Sequence, residues 1–347
     1  MTLENRQRII IDDAPLREDY VPPDLTGRER QSRLLGACLE PIRSGRRPAH
    51  AWLHGSPGTG KTAAAMSFLA RFQKETTALF VVVNCYERDT LYEVLDYIIT
   101  ELKIFRAEEH RTSVKMERLQ HYLGGRCLLI LLDEIDKVTP CERARVLYTL
   151  DALGNTGLVC ISASLGALFE MEERTRSRIN PRTISFEPYG AEEILQILTR
   201  RAGQAFASGV CPAFLLRRIA AVCNGDARIA LQALRNAAES AERSGHTSIT
   251  AADLSGSWNN NGNVKKEQTL AGLTEDHRML YQGVRDARET LCTALWETYL
   301  QRCSQANRNP IAGRTFSAYV NQLVRLGLLT CERARVKGNV RLLRLSE

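Results

Sequence analysis

The run Gly55-Ser56-Pro57-Gly58-Thr59-Gly60-Lys61-Thr62 constrains this chain more than any other stretch, because of what flanks it. A short apolar segment, residues 51–54, precedes it, and an apolar helical pattern over residues 63–72 follows. A glycine-rich turn between a strand and a helix lets backbone amides close around phosphate oxygens, and the helix N-terminus adds its dipole. Ser56, Pro57, Gly58, Thr59 and Gly60 then form the cradle, Lys61 neutralises the β/γ charge, and the Thr62 hydroxyl ligates magnesium. Further along, the apolar run 127–132 ends in Asp133-Glu134-Ile135-Asp136. A strand finishing in two acids can set Asp133 to orient the Mg²⁺ shell and Glu134 to polarise an attacking water. Together the two motifs predict a site for ATP or ADP with Mg²⁺.

The surroundings of these motifs predict the architecture. Strand candidates at 51–54, 78–83, 127–132 and 158–162 are spaced by longer helical patterns, which implies a parallel α/β sheet. Their apolar runs are continuous rather than alternating, as suits strands covered on both faces. Strand signals stop after Phe186-Glu187-Pro188-Tyr189-Gly190, and helical patterns at 191–202, 212–222 and 227–240 predict a small all-helical domain. A polar stretch rich in Gly, Ser and Asn, 255–263, reads as an exposed connection. Helix candidates at 275–283, 287–303 and 313–326 follow, and segment 329–345 carries Lys337-Gly338-Asn339, residues that tolerate the positive φ of a hairpin turn. Three helices and a hairpin make the pattern of a winged helix. The expected boundaries are 1–189 for the α/β domain, 190–255 for the helical domain, 256–267 for a linker and 268–347 for the winged helix.

Composition removes other classes. The 347 residues are 44% apolar and 25% charged, ordinary for a chain that folds in water, and no apolar run approaches the roughly 20 residues of a membrane span. The first residues lack the cationic start and apolar core of a secretory leader, so a cytoplasmic, nucleoid-associated protein with no membrane partner is expected. Ten cysteines without one Cys-x-x-Cys read as reduced, packed thiols, and the six histidines show no metal spacing. The net charge of +7 is uneven: from Arg308 onward there are eight basic residues against two acidic ones. Such a basic end points to a polyanion. In the pattern 313–326, Phe316, Val320, Leu323 and Val324 recur at core spacing and leave Arg314, Ser317, Asn321 and Arg325 on another face. Arg and Asn there can make bidentate base contacts in a major groove, with Arg333, Arg335, Lys337 and Arg341 of the wing holding phosphates.

In order along the chain, these motifs resemble the archaeal replication initiators related to origin recognition complex subunit one and cell division cycle protein six, within the AAA+ ATPases. The resemblance also takes in Leu16-Arg17-Glu18-Asp19-Tyr20-Val21-Pro22-Pro23 with Gly27-Arg28-Glu29, Val83-Asn84-Cys85, Ser177-Arg178-Ile179-Asn180-Pro181-Arg182 and Gly225-Asp226-Ala227-Arg228. It implies an AAA+ P-loop NTPase domain, a helical lid and a C-terminal winged helix. It further implies an adenine pocket lined by Tyr20, Val21 and Arg28, a nucleotide contact at Tyr189, and a sensor 2 arginine at Arg228, whose helix Asp226 can cap. Arg174 and Arg176 fall where such proteins carry an arginine finger acting on a neighbour's nucleotide, and a helix near 89–102 falls where the ATPase domain makes a second DNA contact. The implied partners are duplex origin DNA, the replicative minichromosome maintenance helicase and other initiator copies on DNA.

One departure bears on catalysis. Where the family carries a polar sensor 1 residue, typically Asn then Asp, this chain reads Ile161-Ser162-Ala163-Ser164. Ala163 has no side-chain hydrogen bond to offer a phosphate or water, so the expectation is nucleotide binding with slow hydrolysis, a switch rather than a motor. The alternatives are a DNA-binding paralogue with a degenerate ATPase, an AAA+ remodelling motor, and a nucleotide switch whose winged helix docks proteins.

Overall fold

The computed structural model describes residues 8–23, 25–104, 111–255, 273–287, 289–305, 308–326, 328–333 and 341–345, except the side chains of Arg325 and Arg333. Strands β1 (Ala51–His54), β2 (Leu79–Asn84), β3 (Leu128–Asp133), β4 (Thr156–Ser162) and β5 (Arg182–Ser185) lie in the order β2-β3-β4-β1-β5, all parallel. Alternation along each strand feeds two cores. Trp52, Val83, Ile130, Leu132, Leu158 and Cys160 face one side, and Leu53, Leu129, Leu131, Val159 and Ile161 face the other. Helices α1 (Glu29–Leu39) and α2 (Lys61–Glu75) cover the second side; α3 (Leu91–Glu101), α4 (Thr112–Leu123) and α5 (Pro140–Asp151) cover the first. The short helices α6 (Gly166–Phe169) and α7 (Glu173–Ile179) lead into β5.

Sequence reading expected four strands here and the structure has a fifth, because β5 turns only Ile184 into the core and shows no apolar run. The helix expected near 89–102 is α3. A Thr90–Glu93 capping box starts it, and Leu91, Val94, Leu95, Ile98 and Ile99 are buried, so its apolar face serves the core.

Contacts divide the chain into two units, Met1–Ser257 and Trp258–Glu347. The first also contains the helical domain, α8 (Ala191–Ala205), α9 (Ala213–Val222) and α10 (Ala227–Arg243), and a helical turn at 251–255. Asp226 caps α10 by accepting from the amides of Arg228 (2.9 Å) and Ile229 (3.1 Å). The start of the described chain belongs to this domain. Ile11 and Asp12 donate to the Ala205 carbonyl, Ala207 donates back to Ile9, and one Glu242 oxygen accepts from both Ile9 and Ile10 at 3.0 Å.

In the second unit α11 (Glu275–Ala287), β6 (Glu289–Leu291), α12 (Cys292–Gln305), α13 (Gly313–Arg325), β7 (Leu329–Arg333) and β8 (Arg341–Leu345) follow in winged-helix order. The antiparallel sheet runs β6-β8-β7 around a core of Leu280, Leu295, Tyr299, Phe316, Val320, Leu323 and Leu343. The helix expected over 287–303 is corrected at its start. Residues 289–291 pair with β8, and so short a strand carries no periodicity of its own. β7 and β8 pair as the hairpin reading requires, while its turn, 337–339, and the expected linker, 256–267, lie outside the described residues. All ten cysteines are free, and among the described residues no helix is long and apolar enough to cross a membrane.

A candidate nucleotide site closed by the lid

Three chain segments leave the sheet side by side at the carboxyl ends of β1, β3 and β4, the edge where open α/β sheets bind ligands. A cavity of about 490 Å³ lies there, between this edge and the helical domain. Pro57, Gly58, Gly60, Lys61, Thr62, Asp133, Glu134, Tyr20, Val21, Tyr189 and Arg228 all line it. The structure thus gathers one set of residues from five separate places in the sequence.

The loop after β1 depends on glycine at two positions. Gly58 (φ +74°) and Gly60 (φ +79°) are left-handed, and a Cβ on them would lie 1.9 Å from Asp226 Oδ1 and 2.3 Å from the Tyr189 hydroxyl. Both obstacles belong to residues beyond β5, so this loop is packed directly against the hinge and lid. The Ala227 amide donates to the Gly58 carbonyl at 3.1 Å, one residue before Arg228.

Lys61 Nζ donates to the Gly55 and Ser56 carbonyls (2.6 and 2.8 Å). Burial, and then the nearby Arg228 guanidinium, hold its pKa below the ordinary lysine value. Two cations crowd one cavity, an arrangement that an anion would relieve. The Thr62 hydroxyl donates to Asp133 Oδ2 at 2.9 Å. A hydroxyl and a carboxylate oxygen side by side are the hard donors Mg²⁺ uses when waters and phosphates supply the rest. Among the described residues no group of three His, Cys, Asp or Glu side chains is arranged to hold a metal ion by itself, and such a magnesium site does not need one. Glu134 has φ +54°, unusual for a residue with a side chain, and its amide donates to Asp133 Oδ1 at 2.9 Å. Local strain of this kind collects at functional sites.

Other expected residues stand elsewhere. Arg28, expected at the adenine, is buried and outside the cavity lining. Its guanidinium donates to the Thr59 (3.0 Å) and Glu187 (2.7 Å) carbonyls and lies 3.8 Å over the Tyr189 ring, so it braces the phosphate loop against the hinge. Ser56 and Thr59 are also outside the lining: the Thr59 hydroxyl closes the loop by donating to the Ser56 carbonyl. Arg174 is exposed on α7, and Arg176 lies 5.4 Å over the Phe169 ring; neither reaches this cavity.

Ala163 lines the cavity at the end of β4, and its amide donates to Asp136 Oδ2 at 3.3 Å. Ser162, beside it in the lining, has its one hydroxyl proton committed elsewhere. Its buried hydroxyl accepts from Trp52 Nε1 (2.8 Å) and donates to the Ser164 carbonyl (2.7 Å). Sequence reasoning missed Arg143, Arg200 and Arg201. Arg200 and Arg201 line the cavity from α8. Arg143, 1% exposed, donates to the Ile135, Asp136 and Val138 carbonyls just after the acidic pair. Nothing in a basic residue's own letter separates these from surface arginines.

In the second unit, Arg314 and Asn321 are exposed and Ser317 half-buried on α13, opposite the buried Phe316, Val320 and Leu323. Arg341 on β8 donates to Asn321 Oδ1 at 2.6 Å, which joins wing and helix. Arg325 and Arg333 end α13 and β7, while Arg335 and Lys337 lie outside the described residues.

A parallel sheet in this order, a glycine loop before α2, an acid pair after β3 and a helical lid carrying Arg228 define an AAA+ ATPase. The model of the AAA ATPase domain matches residues 24–161, and that of the Cdc6 AAA+ ATPase-type lid domain matches 195–256. With this lid, the chain belongs to the archaeal replication-initiator family related to ORC1 and Cdc6. The ORC1-type DNA replication protein 1 of Sulfurisphaera tokodaii is 28% identical over 354 residues, which cover 94% of this chain and 87% of that protein. The structure of the Aeropyrum pernix ORC1 protein in complex with DNA superposes with a TM-score of 0.73 at 27% identity, covering 97% of this chain and 94% of that one. The Aeropyrum pernix ORC2 protein in its ADPNP-ADP complexes shares the fold at a TM-score of 0.72 and 22% identity, again over 97% and 94% of the two chains.

Proposed function

We propose that this protein is an ATP-binding replication initiator that recognises duplex origin DNA through its winged helix and turns ATP over slowly, as a switch. The observation that carries the reading is the meeting of Lys61, the Thr62–Asp133 pair and the lid's Arg228 in one cavity. A nucleotide there would be touched by both base and lid, so its phosphate state can set the lid. Lys61 and Arg228 would neutralise phosphate charge, Thr62 and Asp133 would hold Mg²⁺, and Glu134 would take a proton from water. When bound, Mg²⁺ would supply positive charge against the phosphates. With Ala163 at the end of β4 and the Ser162 hydroxyl engaged by Trp52, the side chain that would orient the water is missing, which supports slow turnover.

The outer face of α13, with Arg314, Ser317, Asn321 and Arg325, is the base-reading element in this proposal, and Arg333, Arg335, Lys337 and Arg341 hold phosphates. That the Aeropyrum pernix ORC1 protein was solved with DNA supports the assignment. A cytoplasmic, nucleoid-associated site of action, an inter-subunit role for Arg174 and Arg176 and recruitment of the minichromosome maintenance helicase complete the reading, on the family resemblance. Nuclease protection on DNA flanking the gene, with ATP, ADP or no nucleotide, tests it. The expected result is a discrete footprint, lost in the Arg314→Ala/Arg325→Ala variant. Weak binding, governed by salt alone and indifferent to sequence, would remove the initiator reading.

A further inference from the structure

The base-side wall of the cavity comes from residues 17–22, and this stretch is fastened to the lid rather than to the sheet. Residues 9–12 hydrogen-bond to Ala205, Ala207 and Glu242, and Ile9 and Leu16 are buried. The chain passes to the sheet domain only afterwards, where the Pro23 carbonyl accepts from the Ser67 hydroxyl of α2.

At the turning point stands Arg201 of α8, 8% exposed. One guanidinium nitrogen donates to the Pro15 carbonyl (3.1 Å) and the other to the Tyr20 carbonyl (3.5 Å), while the plane lies 4.3 Å over the Tyr20 ring. Among the described residues no carboxylate pairs with it. Burial holds its pKa below the ordinary arginine value, so the charge is kept at a cost that carbonyls and a ring face offset. A flat fork with several donors can staple both ends of a six-residue bend and stack on its last side chain; a lysine ammonium, a single point, cannot.

We propose that Arg201 is a positioning residue for the nucleotide's base: by clamping residues 15–20 to α8 and fixing the Tyr20 ring, it makes the base-side wall travel with the lid. The proposal rests on the nucleotide reading and deepens it. Phosphates would be held by the sheet domain and by Arg228, and the base by a wall the lid carries. Affinity for the base would then report lid position.

Displacement of labelled ATP by unlabelled ATP and by inorganic tripolyphosphate, both with Mg²⁺, separates these contributions. Arg201→Lys and Tyr20→Leu are each expected to weaken ATP by about ten-fold, the worth of a desolvated cation–π contact, and to leave tripolyphosphate within about two-fold. If Arg201 acts through Tyr20, the double variant binds ATP about as weakly as either single one. Lys61→Ala should lose both ligands. Unchanged ATP affinity, additive losses, or a tripolyphosphate loss equal to that for ATP would each overturn the proposal, the last by making Arg201 a phosphate ligand. Tyr20 is only half-buried, so its variant keeps the test open should Arg201→Lys not fold. A wild-type chain that binds neither ligand overturns the nucleotide reading itself, and the proposal with it.

Discussion

Replacing Arg143 with Met tests how the acidic pair after β3 is held. The guanidinium donates to the buried carbonyls of Ile135, Val138 and Ala167, to the Asp136 carbonyl, and to Glu170 at 3.1 Å. Methionine fills much of the space and satisfies none of these acceptors. Three buried carbonyls left without a donor cost roughly 1 to 1.5 kcal/mol each, so the expected loss is about 3–5 kcal/mol. This is a large share of the 5–15 kcal/mol that typically separates folded from unfolded domains. Urea unfolding followed by Trp52 fluorescence, with Trp258 and Trp296 changed to Phe, reads the sheet domain alone because Trp52 is fully buried there. With a slope of about 3 kcal/mol/M, the midpoint should fall by roughly 1–1.7 M. Arg145→Ala on the same helix removes only an exposed ion pair with Glu142 and should change stability by less than about 0.5 kcal/mol. If the two variants unfold together, the carbonyl argument is wrong.

Thr62→Ala should weaken ATP binding in Mg²⁺ about ten-fold or more and change metal-free binding little, as titrations with and without chelator will show; equal losses would remove Thr62 from the metal. Steady-state turnover of the wild type should stay below about 1 s⁻¹, and Ala163→Asn should raise it several-fold, read by phosphate release. A wild-type rate well above that bound would mean the water is oriented by another group. Arg333→Ala/Arg341→Ala should lower the slope of log affinity against log salt by about 2, roughly one released counterion per lost phosphate contact. An unchanged slope would put the DNA elsewhere.

Stability should also depend on pH through His50 and Asp151. His50 Nδ1 accepts from the Leu158 amide and Nε2 faces Asp151, each at 3.0 Å, so the ring is neutral with its proton toward the carboxylate. Burial holds the His50 pKa below 6.5. For Asp151 burial pushes upward, but hydrogen bonds from Arg178 and His50 outweigh it and leave the pKa below 3.8. Both groups bind fewer protons folded than unfolded, so their stabilisation is complete above pH 6.5 and is lost as pH falls through that value, and again below 3.8. Urea midpoints across this range should show a flatter pH response below 6.5 in His50→Gln than in the wild type. Parallel curves would assign the acid sensitivity to other groups.

Legibility in the sequence followed burial. β3 and β4 are buried along nearly their whole length, so their apolar runs announced them; β5 exposes three of four residues and β6 has only three, and neither left a signal. The core stripe of α13 was readable because a helix with one wet face must repeat. The phosphate loop and the acid pair were readable because their chemistry demands particular residues at fixed spacing. The cavity's far wall was not: Tyr20 and Arg201 meet only because the chain's beginning returns to α8, and no local pattern encodes that return. Arg28 shows the opposite failure, since its place in a motif suggested a ligand contact while its donors are spent on the Thr59 and Glu187 carbonyls.

That return has a consequence for how the molecule is made. Ile9 and Ile10 leave the ribosome long before their acceptor, Glu242, which lies 233 positions beyond Ile9. At roughly 5–20 residues per second, the segment waits about ten seconds to a minute before its partner has been synthesised. The strands from β1 to β5 are complete before then, so the sheet can close while this segment is still loose. A segment that emerges before the sheet is thus placed after it, and the nucleotide cavity acquires its final wall only when the lid behind it has folded.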